Sequence, residues 1–314
     1  MRDYSSVQPP FADKRAALVV AHPSHELRVH GWLQLTRPTV FVITDGSGRF
    51  SQPRLASTTK VLAEVGSAQG SIYGRVTDLQ LYAAILNQDL DFFIAMADEL
   101  AGSFVSQRID YVAGDAAEGY RSAHDICRLL INAAIEIVSR KHRHNIPNFH
   151  FLVIGPPRRY AGSPITEKIW IQLDDDMFAR KLGTARAYHP RLAEDIDAAL
   201  RGEGFQGIKR LSEPQLARQV DVEVGKTIML AIKSQPKLEA RVKEILRGVE
   251  LDAFRVECLS SIGDGKPGMG DVPPFYEIYA EKLVAAGCYE RVIRYREHIF
   301  PVAQALWRHV ECCV

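Results

Sequence analysis

The chain is short of several things. It has five cysteines in 314 residues, Cys127, Cys258, Cys288, Cys312 and Cys313, an odd number with no C-x-x-C pair. A disulfide framework is not expected, and a reduced, cytoplasmic setting fits best. It is also short of net charge. Its 39 Lys and Arg against 38 Asp and Glu leave +1, so there is no electrostatic case for nucleic acid or for a membrane surface as partner. No apolar run approaches the length of a transmembrane helix. Residues Met1 to Asp13 lack the apolar core of a signal peptide and read as a frayed lead-in. Internal repeats and low-complexity tracts are missing too. What remains is 46% hydrophobic and 25% charged, enough apolar content at this length for one elaborated domain or two.

The first half alternates strand and helix signals. Ala17 to Ala21 and the β-branched Thr39 to Thr44 read as strands, as do Arg108 to Ala113 and Phe149 to Ile154. Helices are expected over Leu27–Leu35, Leu55–Val65, Asp78–Phe104 and Ala123–Arg140. That order predicts an α/β fold, a Rossmann-like, mostly parallel sheet covered by helices. The second half reads as a helical C-terminal extension. Trp170 to Leu173 is a candidate strand. Asp174–Tyr188, Pro190–Arg201, Glu213–Val220, Lys237–Arg247 and Phe275–Val310 carry mainly helical patterns, and Leu259–Pro274 reads as a Gly- and Pro-rich loop. The composition shift near Gly155–Ser163 puts a soft boundary between residues 1–155, the catalytic core, and residues 156–314, the helical part, which can still pack with the core as one unit.

Three motifs stand near strand ends. The first is His22-Pro23-Ser24-His25-Glu26, directly after the first strand, which Pro23 stops. The second is Thr44-Asp45-Gly46-Ser47-Gly48. The third is Glu118-Gly119-Tyr120-Arg121-Ser122-Ala123-His124-Asp125, which opens a helix. The C-terminal ends of strands in an open α/β sheet are where ligands bind. Imidazoles three residues apart can face one metal ion, and His124 supplies a third. Three protein ligands plus water is the arrangement of a catalytic zinc. An ordinary polar loop is the competing reading of the paired histidines.

In motif order and spacing the first half of the chain resembles the LmbE-like family, the metal-dependent N-deacetylases related to the phosphatidylinositol-glycan deacetylase (PIG-L). That family carries Ala-His-Pro-Asp-Asp-Glu after its first strand, Thr-Asp-Gly after its second, and His-x-x-His at the head of a later helix. The resemblance implies metal ligands at His22, His25 and His124, with an imidazole at the position where the family has an aspartate ligand. The ion expected is Zn2+, with Fe2+ as the alternative that non-hydrolytic chemistry would use. Two departures matter. The family's general base falls on Ser24, which is neutral, and its second histidine falls on Arg121, which stays protonated. Arg121 can still hold an oxyanion. Glu118 is the preferred replacement base and Glu26 the second choice, with a solvated loop carboxylate the competing reading for Glu118. Asp45 would hold a ligand imidazole or fix its loop. The family's substrate-binding arginine falls on Arg54, with Arg49 the poorer match.

The function these residues imply is metal-dependent hydrolysis of an amide, an N-deacetylation, with a small N-acylated sugar or sugar-like metabolite as substrate. Two alternatives stand beside it: the same fold recruited to lyase, isomerase or iron-dependent redox chemistry at a three-histidine metal, and a non-catalytic binding protein. Asp174-Asp175-Asp176 reads better as an acidic helix start than as a cation site, and Lys141-His142-Arg143-His144 as a solvated helix end. Gly263–Gly270 reads as a connecting loop, with a lid as the other possibility. Pro273–Glu277 and Arg294–His298 suit a pocket wall, a solvated face or a homo-oligomer contact.

Overall fold

A computed structural model describes residues 13–48, 52–154, 157, 167–201, 254–262, 273–285, 287 and 289–313. The expected helices Glu213–Val220 and Lys237–Arg247, the loop Gly263–Gly270, and Arg49 lie outside the described residues.

Seven strands form one sheet in the order β3-β2-β1-β4-β5-β7-β6. They are β1 (Ala16–Val20), β2 (Thr39–Thr44), β3 (Ala68–Val76), β4 (Tyr111–Asp115), β5 (Asn148–Phe151), β6 (Lys168–Gln172) and β7 (Val256–Ser261). The first five are parallel, and β7 joins antiparallel to both β5 and β6. The mostly parallel α/β fold is therefore present. Helices α1 (His30–Thr36), α2 (Leu55–Val65), α3 (Asp78–Asn87), α4 (Leu90–Ser106) and α5 (Ser122–His142) fill the connections of the parallel part. They are followed by α6 (Asp175–Tyr188), α7 (Pro190–Leu200), α8 (Phe275–Ala285) and α9 (Phe300–Glu311). Among the described residues no helix is long and apolar enough to cross a membrane.

The strand β1 reads as an unbroken apolar run because both of its faces are covered. Ala17, Val19 and Ala21 pack with α4, α5 and α9, while Ala16, Leu18 and Val20 pack with α1, α2 and α6. The chain winds outward from β1 through β2 to β3, then crosses back to β4 on the other side of β1. The order reverses between β1 and β4, and the crevice at that reversal is where such sheets bind ligands.

Several expectations need correction. The third strand is β3, over residues where no strand was expected. It is an edge strand of exposed and half-buried positions, with only Ile72 buried and with Gly70 and Gly74 inside it. That composition gives no apolar alternation to read. The next strand starts at Tyr111, not Arg108, because Arg108 takes a left-handed φ of 51° that ends the preceding turn. The single helix expected over Asp78–Phe104 is two. Gln88 turns left-handed (φ 53°), and the Asp89 carboxylate then accepts from Phe92 N–H to start α4. Residues Val256–Ser261 are a strand where a loop was expected to begin at Leu259. The single helix expected over Phe275–Val310 is α8 and α9, with a five-residue π-helical turn, Tyr295–Ile299, leading into α9. Residues on both sides of the expected boundary thus contribute to one sheet.

Candidate functional site

The loops after β1, β2, β3 and β4 are tied together at the sheet's C-terminal edge. Thr44 N–H donates to Ala21 O, Asp45 N–H to Val76 O, and Ala21 N–H to Asp115 Oδ2 at 2.8 Å. Pro23 seats against Gly46, whose φ of +67° and lack of a side chain permit the contact; a Cβ there would lie 2.7 Å from Pro23 Cδ. This packing sets His22 just past β1 and His25 at the head of a short 3-10 turn. His124 comes from the first turn of α5.

The three expected imidazoles converge. Ring centroids stand 5.3 Å apart for His22 and His25, 5.6 Å for His22 and His124, and 4.7 Å for His25 and His124. An imidazole-bound zinc sits roughly 2.0–2.1 Å from the donor nitrogen and roughly 3.2 Å from the ring centre, so tetrahedrally disposed rings stand about 5.2 Å apart. The spacing of the rings fits a shared ion. Among the described residues, however, no group of three or more His, Cys, Asp or Glu side chains meets the arrangement that holds a metal ion.

The tautomers of two rings follow from their partners. His25 Nδ1 is 2.8 Å from Asp115 Oδ2, a carboxylate oxygen that can only accept, so Nδ1 carries the proton and Nε2 the lone pair. His22 Nδ1 is 2.8 Å from Thr44 Oγ1 and also 2.8 Å from Asp78 Oδ1. The Thr44 contact is the aligned one, since Asp78 Oδ1 is left without a well-directed hydrogen bond. Thr44 donates its own proton to Ala21 O, so it too accepts from His22. Both rings are therefore presented as Nε2 donors, the form a metal takes. In His124 both ring nitrogens are buried without a partner. An unpaired buried polar group is costly, and an ion shared with the other two rings would satisfy one nitrogen.

Charge supports the same reading. Burial is the main cause that lowers His22 below its ordinary value, only partly offset by Asp78. Burial, then the neighbouring His25 and His22, lowers His124 further. Both stay neutral at pH 7, as ligation requires. Burial alone would raise the Asp78 carboxyl, but the His22 ring 2.8 Å away, with Thr44 and the Gly48 N–H, holds it below the usual range.

The remaining expected residues fall as follows. Asp45 Oδ1 accepts from Ser47 N–H, so Asp45 fixes its own loop. The carboxylates beside the imidazoles are Asp78 and Asp115, neither of which the sequence motifs contain. Glu26 is fully buried; its oxygens accept from Ser24 N–H (2.8 Å) and Thr58 Oγ1–H (2.9 Å), and burial raises its pKa. It holds the loop shut underneath rather than facing the crevice. Ser24 is held there at φ 89°, a left-handed conformation uncommon for serine. Glu118 Oε1 accepts from Val153 N–H (2.6 Å) and Ile154 N–H (3.0 Å), which ties its loop to the end of β5. Arg121 is exposed at the N-cap of α5, and its charge is felt at both His22 and His124. Arg54 Nε donates to Gly46 O at 2.8 Å, bracing the glycine turn. Beyond Arg121, the half-buried rings of Tyr120 and Phe275 stack with centroids 5.2 Å apart, so α8 walls one side of this edge.

No family model, no curated protein and no solved structure matches this chain.

Proposed function

We propose that the chain is a metal-dependent hydrolase that cleaves the amide of a small N-acylated sugar or sugar-like molecule. The observation that carries the reading is the convergence of His22, His25 and His124 at the β1/β4 reversal, with two of the three rings in the ligand tautomer. These three side chains would hold the ion. Zinc, or iron(II), supplies Lewis acidity and an acidified water in such a site.

The chain's own residues do the rest. Arg121, exposed at the head of α5, is assigned the oxyanion, which its fixed fork of N–H donors suits. Glu118, buried in the same loop with Oε1 accepting from the Val153 and Ile154 N–H groups, is assigned the proton, and Glu26, fully buried beneath the loop, is not. Arg54 braces the glycine turn through Nε, and its terminal N–H groups are assigned to a substrate hydroxyl pair. The test is release of acetate from N-acetylated hexosamines by the metal-loaded protein. Release that is lost on Arg121→Ala and Glu118→Gln supports the reading. No release from any N-acetyl sugar by a fully metallated protein counts against it.

One observation favours a second reading. Ser24 stands where a base would be expected, so the site can be read as a three-histidine metal centre turned to lyase, isomerase or iron-dependent redox chemistry. Iron rather than zinc in the protein as isolated, together with no acetate release, would select it.

A further inference from the structure

We infer that Asp115 is a positioning residue for metal binding: it acts through His25, fixing that ring as an Nε2 donor and bringing negative charge to a ligand set that has none. The inference rests on the metal reading above. Asp115 is the last residue of β4 and is completely buried. Its Oδ2 accepts two hydrogen bonds, from Ala21 N–H and from His25 Nδ1–H, both at 2.8 Å. The first ties the carboxylate to the strand that ends at the histidine loop. The second sets the ring's tautomer and its rotation. The carboxylate is thus anchored to the rigid centre of the sheet and hands that rigidity to a side chain in a short turn.

A second, independent observation points to a cation. Asp115 Oδ1 is buried without a hydrogen-bond partner. Arg128 does not supply one, because its Nε donates to the Asp115 backbone carbonyl instead. A buried carboxylate with one oxygen orphaned is costly unless positive charge lies close by. The buried Arg128 guanidinium, bonded to the Asp115 backbone carbonyl, supplies part of that charge; a dication held by three neutral imidazoles would add the rest one ring away, and the carboxylate in turn makes His25 a stronger donor. His22 differs: its Nδ1–H is aligned on the neutral Thr44 hydroxyl, with Asp78 close but off-axis. Asp115 is therefore the carboxylate most directly coupled to a ligand ring.

The experiment is a double-mutant cycle on zinc affinity in the full-length protein, read by competition with a chromophoric chelator. Asp115→Asn keeps the shape and an accepting oxygen while removing the charge. The expected result is a loss of zinc affinity of roughly 10- to 100-fold. In a His25→Ala background the same substitution should change affinity less than about threefold, because its route to the metal is gone. Equal affinity for wild type and Asp115→Asn overturns the inference. So does an equal loss in both backgrounds, which would mark Asp115 as a structural residue only. A wild-type chain that takes up no zinc fails earlier, at the metal reading itself.

Discussion

His30 offers a stability test whose size can be worked out from the structure. It opens α1 and is 1% exposed, with neither ring nitrogen partnered. Burial, opposed by Glu257 and reinforced by Lys181 and Arg180, lowers its pKa from 6.5 to about 4. Between those values the unfolded chain holds a proton that the folded chain refuses. Stability from this group is therefore complete above about pH 6.5, falls as the pH drops toward about 4, and levels off below. At pH 5 the gap is about 1.5 units at about 1.4 kcal/mol each, so the folded state has lost about 2 kcal/mol. His30→Leu keeps roughly the volume and removes both the titration and the orphaned atoms. At pH 7.5 the variant should be equal to wild type or more stable by about 1 kcal/mol. At pH 5 its advantage should grow by about 2 kcal/mol. Urea denaturation of both proteins at the two pH values, with the same metal load, measures this directly. His150, lowered by burial to about 3, and the site histidines titrate in both proteins and cancel in the difference. Parallel pH dependence of the two proteins would refute the reasoning.

Three further outcomes are expected. Lys181 Nζ lies 2.7 Å from Glu257 Oε1, and Glu257 also accepts from Gly31 and Trp32 N–H, joining β7, α1 and α6. Lys181→Met should cost about 3–5 kcal/mol in urea denaturation, and the Lys181→Met/Glu257→Gln double variant less than the sum of the two singles. A Cβ at Gly114 would lie 2.5 Å from the Val19 carbonyl oxygen and 2.5 Å from Ile131, whereas one at Gly102 in α4 meets open space. Gly114→Ala should lower the thermal midpoint by the equivalent of about 1–3 kcal/mol, and Gly102→Ala should raise it by about 1 kcal/mol. Ser24→Gly relieves the left-handed backbone and should stabilise by about 1 kcal/mol, while Ser24→Asp puts a carboxylate into the histidine loop and, if the proposed hydrolysis holds, should raise acetate release by about 100-fold. Unchanged turnover in Ser24→Asp would show that position 24 does not face the reacting bond.

The parallel core was legible where both faces of a strand are covered. Leu18, Val19 and Val20 announce β1 because no position in it needs to be polar. The edge strand β3 was not legible, since a strand that buries only Ile72 has no reason to alternate. β7 was hidden by its cysteine and serines, and Glu257, which reads as a surface residue, is buried because Lys181 and two backbone N–H groups hold it. At the site the three histidines could be found from sequence because imidazole near strand ends is itself informative. Asp115 could not, because placing the strand at 108–113 ended it two residues early and hid the carboxylate that closes it. Asp78 stood only as the first residue of an expected helix, which it also is; its second task at His22 depends on β2 and β3 being neighbours. Glu26 and Asp45, adjacent in sequence to the candidate ligands, turned out to brace the loops instead.

Elemental analysis of the purified full-length protein, beside its His22→Ala and His124→Ala variants, tests the central claim most directly. The account expects close to one zinc or iron ion per chain in the wild type and loss of most of it in each variant, with the fold retained by circular dichroism. A wild type free of metal after growth with zinc and iron, or full retention of metal in both variants, would contradict it.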